Sequence, residues 1–474
     1  MKIGVFDNGW FKGACKALGH DPILLPVASG AGGNAYAADI AARRANGTAI
    51  VEQLRGARPD LILDNGGAGI AFVSGAGGGD VRLAHEALGI PLYSHFIDPL
   101  VTAFQGLGWP TLWQCLKSDR WVKAVWDRAQ VTELLRFGVP NVIHLPMAAP
   151  DRPYDTEPLD PNHCRHAVSF VGGQNSSYFT SNTNVGTANL FAGTLALAVR
   201  SDLPGANFYD VYHDLYGLAE PVQPTDDLQT QINKTLAYYN AKLFFNASLC
   251  VRNRDRFVIF LKRKLGEKFH LIGRGWDTAY GLPVEPPLPG QDSFLNHFRE
   301  TAININLVNG NAETGLNMRH FEITAAGGFM LCYDQPEIEE HFEVGKECDV
   351  FHSEAELLEK IQYYLSRPQE RVEIALAGQK RTLSSHLYQN RLQAVIDHAR
   401  VNCLRSLPVE FSTGKWTDEC KSLLPEPDVI LDCGANVGYV SEFLRRMYPK
   451  AEIFAFEPVS SVYEQLSFRA AEHG

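Results

Sequence analysis

The sequence predicts an α/β protein with two doubly wound parallel-sheet domains, a cleft between them, and the start of a third α/β unit. Short continuous apolar runs alternate with helical stretches over residues 1–150 and again from residue 163. Such runs are typical of strands buried on both faces of a parallel sheet. A proline- and acid-rich segment separates the two series, and 474 residues exceed what one hydrophobic core usually serves.

The first series, residues 1–150, contains six candidate strands. They are Lys2–Asp7, Ile23–Val27, Leu61–Asn65, Pro91–His95, Lys123–Trp126 and Val142–Pro146. Doubly wound sheets bind ligands beyond the carboxyl ends of their strands. Asn8, Asp64 and Asn65 lie at such ends. They are therefore candidate ligand contacts, although turn capping explains them equally well.

The second series, residues 163–405, repeats the pattern. Its candidate strands are Ala167–Gly173, Phe269–Gly273, Ala302–Leu307 and Gly328–Tyr333. Residues 174–245 are turn-rich and then aromatic and helical, so we assign them to this domain as a helical insertion. An irregular linker over residues 406–427 precedes the last segment, residues 428–474.

One segment of the second series suggests chemistry. A strand leads through a glycine-containing loop into a helix that begins near Asn317. Backbone N–H groups at a helix start favour a diphosphate, and Arg319 can add a forked, charge-assisted contact. Glu322, one turn later, can accept hydrogen bonds from ribose hydroxyls. The alternative is that RHFE forms a surface ion-pair set and that AAGG only packs tightly.

Residues 302–395 resemble the C-terminal domain of the CgeB-like, family-1-type glycosyltransferases of GT-B fold. The resemblance runs through N-x-R-x-F-E-x-x-A-x-G, and it covers most of residues 165–400 with a weaker echo in residues 1–150. It implies two Rossmann-like domains and a hexosyltransferase that needs no metal. A UDP-, GDP- or dTDP-linked sugar donor would bind mainly to the second domain. A glycan or glycosylated acceptor would bind mainly to the first.

The resemblance also implies which residues act. The implied donor contacts are Gly172, Gly173, Arg274, Trp276, Asn317, Arg319 and Glu322. Trp276 either stacks on the base or packs in the core. His95 follows a strand where relatives place a histidine that touches the donor sugar, and Asp98 is placed to act as a base in an inverting mechanism. A structural role for His95 is equally favoured. Asn8, Asp64 and Asn65 would then contact the acceptor.

One departure from the family pattern leaves the stereochemistry open. Many retaining GT-B enzymes carry two glutamates separated by seven residues, whereas Glu313 and Glu322 are separated by eight. Glu322 fits the ribose-binding position, but Glu313 is out of place for the other. Retention and inversion are therefore both open.

Residues 428–458 contain a second motif. A strand ends in DCGANVG and runs into a helix, and the next strand ends in an acidic residue. The segment resembles the opening of FkbM-type SAM-dependent methyltransferases. The implied SAM contacts are Asp432, Gly434, Asn436, Gly438 and Glu457. A complete domain of that family needs a full sheet, so we expect no methyl transfer from this chain and a role for SAM only in a full-length domain.

Composition limits the remaining functional classes. A formal net charge of −11 argues against a nucleic-acid partner. The nine cysteines form no CxxC pair, and the chain shows neither a signal peptide nor a membrane-length apolar run. We expect a cytoplasmic glycosyltransferase of surface polysaccharide or glycoprotein synthesis. The alternatives are a nucleotide-sugar epimerase of GT-B architecture and a non-catalytic scaffold that positions a downstream methyltransferase.

Overall fold

The structure is a computed structural model. It describes residues 1–6, 10–28, 38–74, 81–98, 107–157, 159–162, 164–175, 187–203, 206–406, 427–433, 435, 439–457 and 467. The chain divides into two compact units, Met1–Asp397 and His398–Gly474. The finer boundaries that the sequence suggests within and between these units stay predictions.

The strands account for every apolar run singled out in the sequence. In chain order the described strands are β1 Ile3–Phe6, β2 Ile23–Leu25, β3 Leu61–Asn65, β4 Phe72–Ser74, β5 Val81–Leu83, β6 Leu92–Phe96, β7 Trp121–Val125, β8 Val142–His144, β9 His166–Val171, β10 Phe269–Ile272, β11 Thr301–Asn306, β12 Met330–Tyr333, β13 Asp349–Phe351, β14 Val429–Cys433 and β15 Glu452–Phe456.

The helices lie between these strands. In chain order the described α-helices are α1 Phe11–Ala17, α2 Ile40–Ala57, α3 Ala84–Ala87, α4 Trp109–Leu116, α5 Arg128–Arg136, α6 Thr187–Asp202, α7 Leu228–Cys250, α8 Arg256–Leu265, α9 Trp276–Tyr280, α10 Gly290–Glu300, α11 Met318–Ala325, α12 Ile338–His341, α13 Glu354–Leu365, α14 Pro368–Ser385, α15 Tyr388–Ser406 and α16 Tyr439–Met447. Two π-helical turns, Asp210–Leu215 and Val251–Asp255, interrupt the pattern.

The first unit contains two parallel sheets. The described strands of the first run in the order β2-β1-β3-β6-β7-β8, and those of the second in the order β10-β9-β11-β12-β13. In each sheet the first strand of the series, β1 or β9, is flanked by strands on both sides, which places a crevice at its carboxyl end. The predicted fold class is therefore confirmed: an α/β protein with two Rossmann-like parallel sheets, as in GT-B glycosyltransferases.

The β4–β5 hairpin is an addition that the sequence analysis did not predict. Phe72 pairs with Leu83 and Ser74 with Val81 in antiparallel register. The strands are only three residues long. Alternation over so few positions, beside a glycine-rich stretch, is too short to distinguish from loop.

The helical insertion, which the sequence assigns to the second domain, also packs on the first sheet's side of the unit. Phe208 and Tyr238 belong to the same buried cluster as Trp109 and Phe137, which flank the first sheet. The Trp109 indole N–H donates to the Thr235 hydroxyl at 2.9 Å. Large aromatic side chains bury most area where other aromatics already lie, and this outweighs sequence proximity to the second sheet.

After the second sheet, the chain returns to the segment that joins the two halves. The backbone of Ala149 bonds to His386 at 2.9 Å and to Tyr388 at 3.0 Å. The Arg391 guanidinium donates to the Met147 carbonyl at 2.9 Å. These bonds bring Tyr388, at the start of α15, next to the first sheet.

The second unit shows a two-stranded parallel sheet, β14 and β15, with helix α16. One face of this sheet exposes apolar side chains, among them Leu431 (63% exposed) and Phe456 (54% exposed). In the part of the chain that the structure describes, no helix combines the length and apolar character needed to cross a membrane.

Candidate functional site

Helix α11 starts at the carboxyl edge of the second sheet. Asn317 precedes it in an extended conformation, but its side chain does not cap the helix. Instead, the Asn317 amide oxygen accepts from Asn306 at 3.3 Å and from His320 Nδ1 at 2.9 Å. Asn317 thus joins the end of β11 to the start of α11, which fixes where the helix begins.

Arg319 and Glu322 lie side by side on α11. The Arg319 guanidinium donates to Glu322 Oε2 at 2.6 Å, and Gln291 donates to Oε1 at 2.8 Å. Phe294 and Phe298 lie under the guanidinium, with ring centroids at 4.7 and 5.2 Å. Glu322 is 2% exposed. Each carboxylate oxygen keeps lone pairs that can accept a further hydrogen bond from a ligand hydroxyl.

The loop after β9 lies beside β10. Gly172 N–H donates to the Ile272 carbonyl at 2.9 Å, and Gln174 N–H donates to the carbonyl of exposed Arg274, also at 2.9 Å. The Trp276 indole N–H donates to the Gly172 carbonyl at 2.8 Å. Trp276 is fully buried, and its ring packs edge-on against Phe170. The core-packing alternative therefore describes Trp276.

Arg254 belongs to a basic stretch, residues 252–264, which the sequence indicates chiefly as a solvated helix face and otherwise as a diphosphate contact. In the structure it is 7% exposed. Its guanidinium donates to the Gly173 carbonyl at 3.0 Å and to the Leu307 carbonyl at 3.1 Å. It therefore lies between the carboxyl ends of β9 and β11. A π-helical turn over Val251–Asp255 sets this orientation.

The charge around Arg254 favours an anion. Burial lowers the pKa of Arg254, and the positive charge of Arg319 lowers it further. Among the residues that the structure describes, Arg254 Nε is buried without a hydrogen-bond partner, and so is Asp255 Oδ1. The other Asp255 oxygen accepts from Gln174 at 3.0 Å and from Tyr280 at 2.7 Å. Two guanidinium groups near one sheet edge define a candidate phosphate site.

His95 lies at the carboxyl end of β6 in the first sheet. Its Nε2 is 2.9 Å from the Leu145 carbonyl, which can only accept, so Nε2 carries the proton. Burial lowers the pKa of His95 to about 4, so the ring is neutral. Nδ1 is then a buried acceptor, and no described residue donates to it. Tyr388 packs against the ring, with centroids 5.9 Å apart.

The other candidate ligand contacts predicted in the first half differ in their exposure to solvent. Asp64 is buried and accepts from Gly69 N–H at 2.9 Å and from the Ser94 hydroxyl at 3.0 Å. Those bonds match the turn-capping alternative. Asn65 is also buried, whereas Asp98 is exposed. Asn8 lies outside the described residues.

Asp151 is a group that sequence analysis did not single out. It lies in the joining segment, where its carboxylate is half-buried and accepts from the Gln389 N–H. Burial raises its pKa to about 6. The negative charges of Glu322 and Asp151 both raise the pKa of Tyr388, after the larger effect of its burial. Asp151, Glu322 and Tyr388 are therefore electrostatic neighbours where the two halves meet.

Glu313 does not pair with the groups around Glu322 but with the helical insertion. It is fully buried, and Lys242 Nζ lies 2.8 Å from its carboxylate. The Phe208 N–H donates to the same carboxylate at 2.7 Å. Lys242 also bonds to Glu133 of helix α5. Glu313 therefore belongs to a buried ion cluster with the helical insertion, which explains why its spacing from Glu322 departs from the family pattern.

The implied SAM site is only partly described. Asp432 accepts from the Ser441 hydroxyl at 2.6 Å. Ala435 N–H donates to the Phe456 carbonyl at 3.0 Å, one residue before Glu457. Gly434, Asn436 and Gly438 lie outside the described residues. The SAM contacts stay predictions.

Three fully buried histidines, His85, His95 and His320, make stability depend on pH. Burial lowers their pKa to about 3, 4 and 3, from an ordinary value of 6.5. Below pH 6.5 the unfolded chain takes up protons that the folded chain does not. The free energy of unfolding should therefore fall by about 1.4 kcal/mol per pH unit for each histidine. Asp64, whose pKa burial raises to about 6, offsets about one of the three.

Urea unfolding at pH 7, 6 and 5 measures this dependence. His85→Leu should reduce the proton uptake on unfolding by about one proton. A midpoint that does not change between pH 7 and pH 5 would contradict the assignment of neutral histidines.

Comparison with known proteins agrees with the glycosyltransferase resemblance. Residues 252–397 match a family model described as glycosyl transferase-like. Among solved structures, sucrose-phosphate synthase from Thermosynechococcus elongatus is 10% identical, covering 85% of this chain and 96% of that one, with a TM-score of 0.41. A glycosyltransferase from Rickettsia africae ESF-5 is 11% identical, covering 84% and 97%, with a TM-score of 0.42. The chain thus contains a glycosyl transferase-like segment within an α/β fold of parallel sheets.

Two curated relatives are methyltransferases that match over short segments. Methyltransferase sdnD of Sordaria araneosa is 44% identical over 54 residues, which is 11% of this chain and 21% of that protein. Methyltransferase 1 of Beauveria bassiana (strain ARSEF 2860) is 35% identical over 65 residues, which is 13% and 26%. The chain therefore spans only about a fifth to a quarter of the length of these relatives.

Proposed function

We propose that this protein transfers a sugar from a nucleotide-sugar donor to a glycan or glycosylated acceptor. The observation that carries the proposal is the position of buried Arg254, which donates to the Gly173 and Leu307 carbonyls at the carboxyl edge of the second sheet. Its Nε is buried without a hydrogen-bond partner among the described residues. A buried guanidinium of this kind is stabilised by an anion, and a diphosphate offers several acceptor oxygens to it and to Arg319, whose positive charge acts on it.

The donor's other parts follow from this placement. The ribose hydroxyls would donate to Glu322, which keeps free lone pairs, and Asn317 would hold the helix start in place. The departing diphosphate would be stabilised by the two guanidinium groups, which are held before the reaction begins. The donor would be a UDP-, GDP- or dTDP-linked hexose, and no metal would be required.

His95 would contact the sugar, and Asp151 would be the better candidate for a base. The bare Nδ1 of His95 can accept from a sugar hydroxyl. A carboxyl with a pKa raised to about 6 is mostly ionised near neutral pH but more basic than an ordinary carboxylate, so it can remove a proton from an acceptor hydroxyl. Asp98 is exposed and stays an alternative base. The expected setting is cytoplasmic synthesis of surface polysaccharide or glycoprotein.

Nucleotide binding is the direct test. Thermal shift and calorimetry with UDP, GDP, dTDP and CMP, followed by the matching sugar nucleotides, should identify one preferred base. Transfer to a glycan acceptor should then release the nucleoside diphosphate. A protein that binds none of these nucleotides is not a sugar-nucleotide enzyme, and the scaffold interpretation would replace the proposal.

Arg319→Ala and Glu322→Ala should each weaken binding of the preferred nucleotide by about 10- to 100-fold, which is about 1.4–2.7 kcal/mol. The first removes a charge from the diphosphate and the second removes the ribose acceptor. Arg381→Ala is the matched control, because Arg381 pairs with Glu347 at 3.0 Å on the exposed surface. Calorimetry that gives equal affinity for all four proteins would exclude this placement of the donor.

A nucleotide-sugar epimerase is the second candidate. That activity needs acidic and histidine side chains from both halves of the cleft, and His95, Asp151 and Glu322 supply that set. Product analysis separates the two reactions. An epimerase converts the sugar without an acceptor, either as the epimeric nucleotide sugar or, when water cleaves the bond to the diphosphate, as a free epimeric sugar. The proposed transferase forms its glycoside only when an acceptor is present.

We also propose that the second unit, as it stands in this chain, does not transfer methyl groups. Its described sheet exposes Leu431 and Phe456 instead of enclosing a ligand. Incubation with labelled SAM and a glycan panel tests this, and any labelled product would overturn it.

A further inference from the structure

Asp127 precedes helix α5 and is fully buried. Its Oδ1 accepts from the Ala129 N–H at 2.9 Å and from the Gln130 N–H at 3.4 Å. This is the usual role of an aspartate at a helix start. A helix cap of this kind needs only one carboxylate oxygen, so the second oxygen is available for another contact.

The second oxygen contacts the other half of the unit. Asp127 Oδ2 accepts from three successive backbone N–H groups, those of Glu313 at 2.7 Å, Thr314 at 3.0 Å and Gly315 at 3.1 Å. These residues form the loop between β11 and α11. Hydrogen bonds to an ionised carboxylate are about twice as strong as neutral ones. One carboxylate of the first half therefore holds a whole turn of the second half.

Two neighbouring contacts make this loop position specific. A side chain at Gly315 would come within 2.9 Å of the Trp126 ring and 3.1 Å of Asp127 Cα, so only glycine allows the approach. The Thr314 hydroxyl lies 2.6 Å from Glu337, which also accepts from the Arg128 N–H at 3.0 Å. The loop is thus packed and hydrogen-bonded against the start of α5 on both sides.

We propose that Asp127 is a positioning residue for the donor site. The loop that it holds leads within a few residues to Asn317, Arg319 and Glu322. Asp127 sets where α11 begins and hence where the Arg319 guanidinium lies, although it does not touch the donor itself. It also occupies the N–H groups of residues 313–315, so these amides do not bind phosphate and the two arginines do. The inference rests on the proposed function.

Asp127→Asn is the sharpest variant. The amide keeps the size of the side chain, but its NH₂ group must face backbone N–H groups whichever way it is turned, because donors surround both oxygens. The probe is whichever of UDP, GDP or dTDP the wild type binds most tightly. We expect its Kd to rise at least tenfold in Asp127→Asn at a temperature where circular dichroism shows the protein folded. Amide hydrogen exchange over residues 313–322 should become faster in the same variant.

Asp227→Asn is the matched control. Asp227 caps α7 by accepting from the Thr230 N–H at 2.7 Å, on an exposed surface. This variant should bind the nucleotide as the wild type does and leave exchange over residues 313–322 unchanged. If folded Asp127→Asn binds within twofold of wild type, Asp127 has no positioning role while the proposed function stands. If wild type binds none of UDP, GDP, dTDP and CMP, the proposed function falls and this inference falls with it.

Discussion

Replacing Arg254 by alanine is expected to abolish most of the affinity for the nucleoside diphosphate. Arg254 joins the carboxyl ends of β9 and β11 through the Gly173 and Leu307 carbonyls, and it supplies charge where a diphosphate would lie. Alanine removes both the charge and the bridge. Loss of one charge-assisted contact costs about 1.5–3 kcal/mol, so Kd should rise by about 10- to 100-fold. Calorimetry with the preferred nucleotide measures this change directly.

Two further variants separate the effect of the Arg254 charge from the effect of its hydrogen bonds to the two carbonyls. Arg254→Lys keeps the charge but lacks the planar, forked guanidinium that spans the two carbonyls, so binding should be intermediate. Arg263→Ala removes an exposed arginine from the same basic stretch and should leave Kd unchanged. If Arg254→Ala and Arg263→Ala bind equally well, the phosphate site is elsewhere.

Arg254 shows why part of the site could not be predicted from sequence. The sequence shows six basic residues between positions 252 and 264, and helical spacing alone cannot say which of them points inward. The π-helical turn over Val251–Asp255 adds a residue to the turn and rotates Arg254 into the core. No propensity signal identifies such a turn, so only the three-dimensional packing reveals it.

Other residues of the site could be predicted from the sequence, because the residues they contact lie close to them in the chain. Asn317, Arg319 and Glu322 follow one strand within a single loop and helix, so their convergence needs no long-range contact. The parallel strands were equally predictable, since long apolar runs buried on both faces are distinctive. Asp127 and Asp151 act through partners far away in sequence, and nothing local marks them.

Glu313 shows that the spacing of two glutamates in the sequence does not determine their partners in the structure. Sequence analysis compared it with the first of two family glutamates, but the structure pairs it with Lys242 of the helical insertion. That pairing depends on where the insertion packs, which the sequence does not reveal. An aromatic core shared by Phe208, Tyr238 and Phe137 decided that packing.

Lys242→Met is expected to produce the largest loss of stability in this protein. Lys242 is buried between Glu133 and Glu313, one from each half of the first unit. Burial alone would lower its pKa, but the two carboxylates outweigh that effect and raise the pKa, so the lysine is charged. Methionine fills a similar volume but leaves Glu133 without its cationic partner and Glu313 with only Arg200, whose guanidinium lies 3.9 Å away. Breaking a buried pair in this way costs about 3–5 kcal/mol, which urea unfolding measures.

The control for this loss lies two turns away on the same helix. Lys234 pairs with Asp226 at 2.9 Å near the surface, so Lys234→Met should cost about 0–1 kcal/mol. Adding Glu133→Gln and Glu313→Gln to Lys242→Met should recover part of the stability, because neutral amides are cheaper to bury than unpaired carboxylates. Equal losses for Lys242→Met and Lys234→Met would mean that water reaches the cluster. The two halves would then be held together chiefly by the aromatic core and by Asp127.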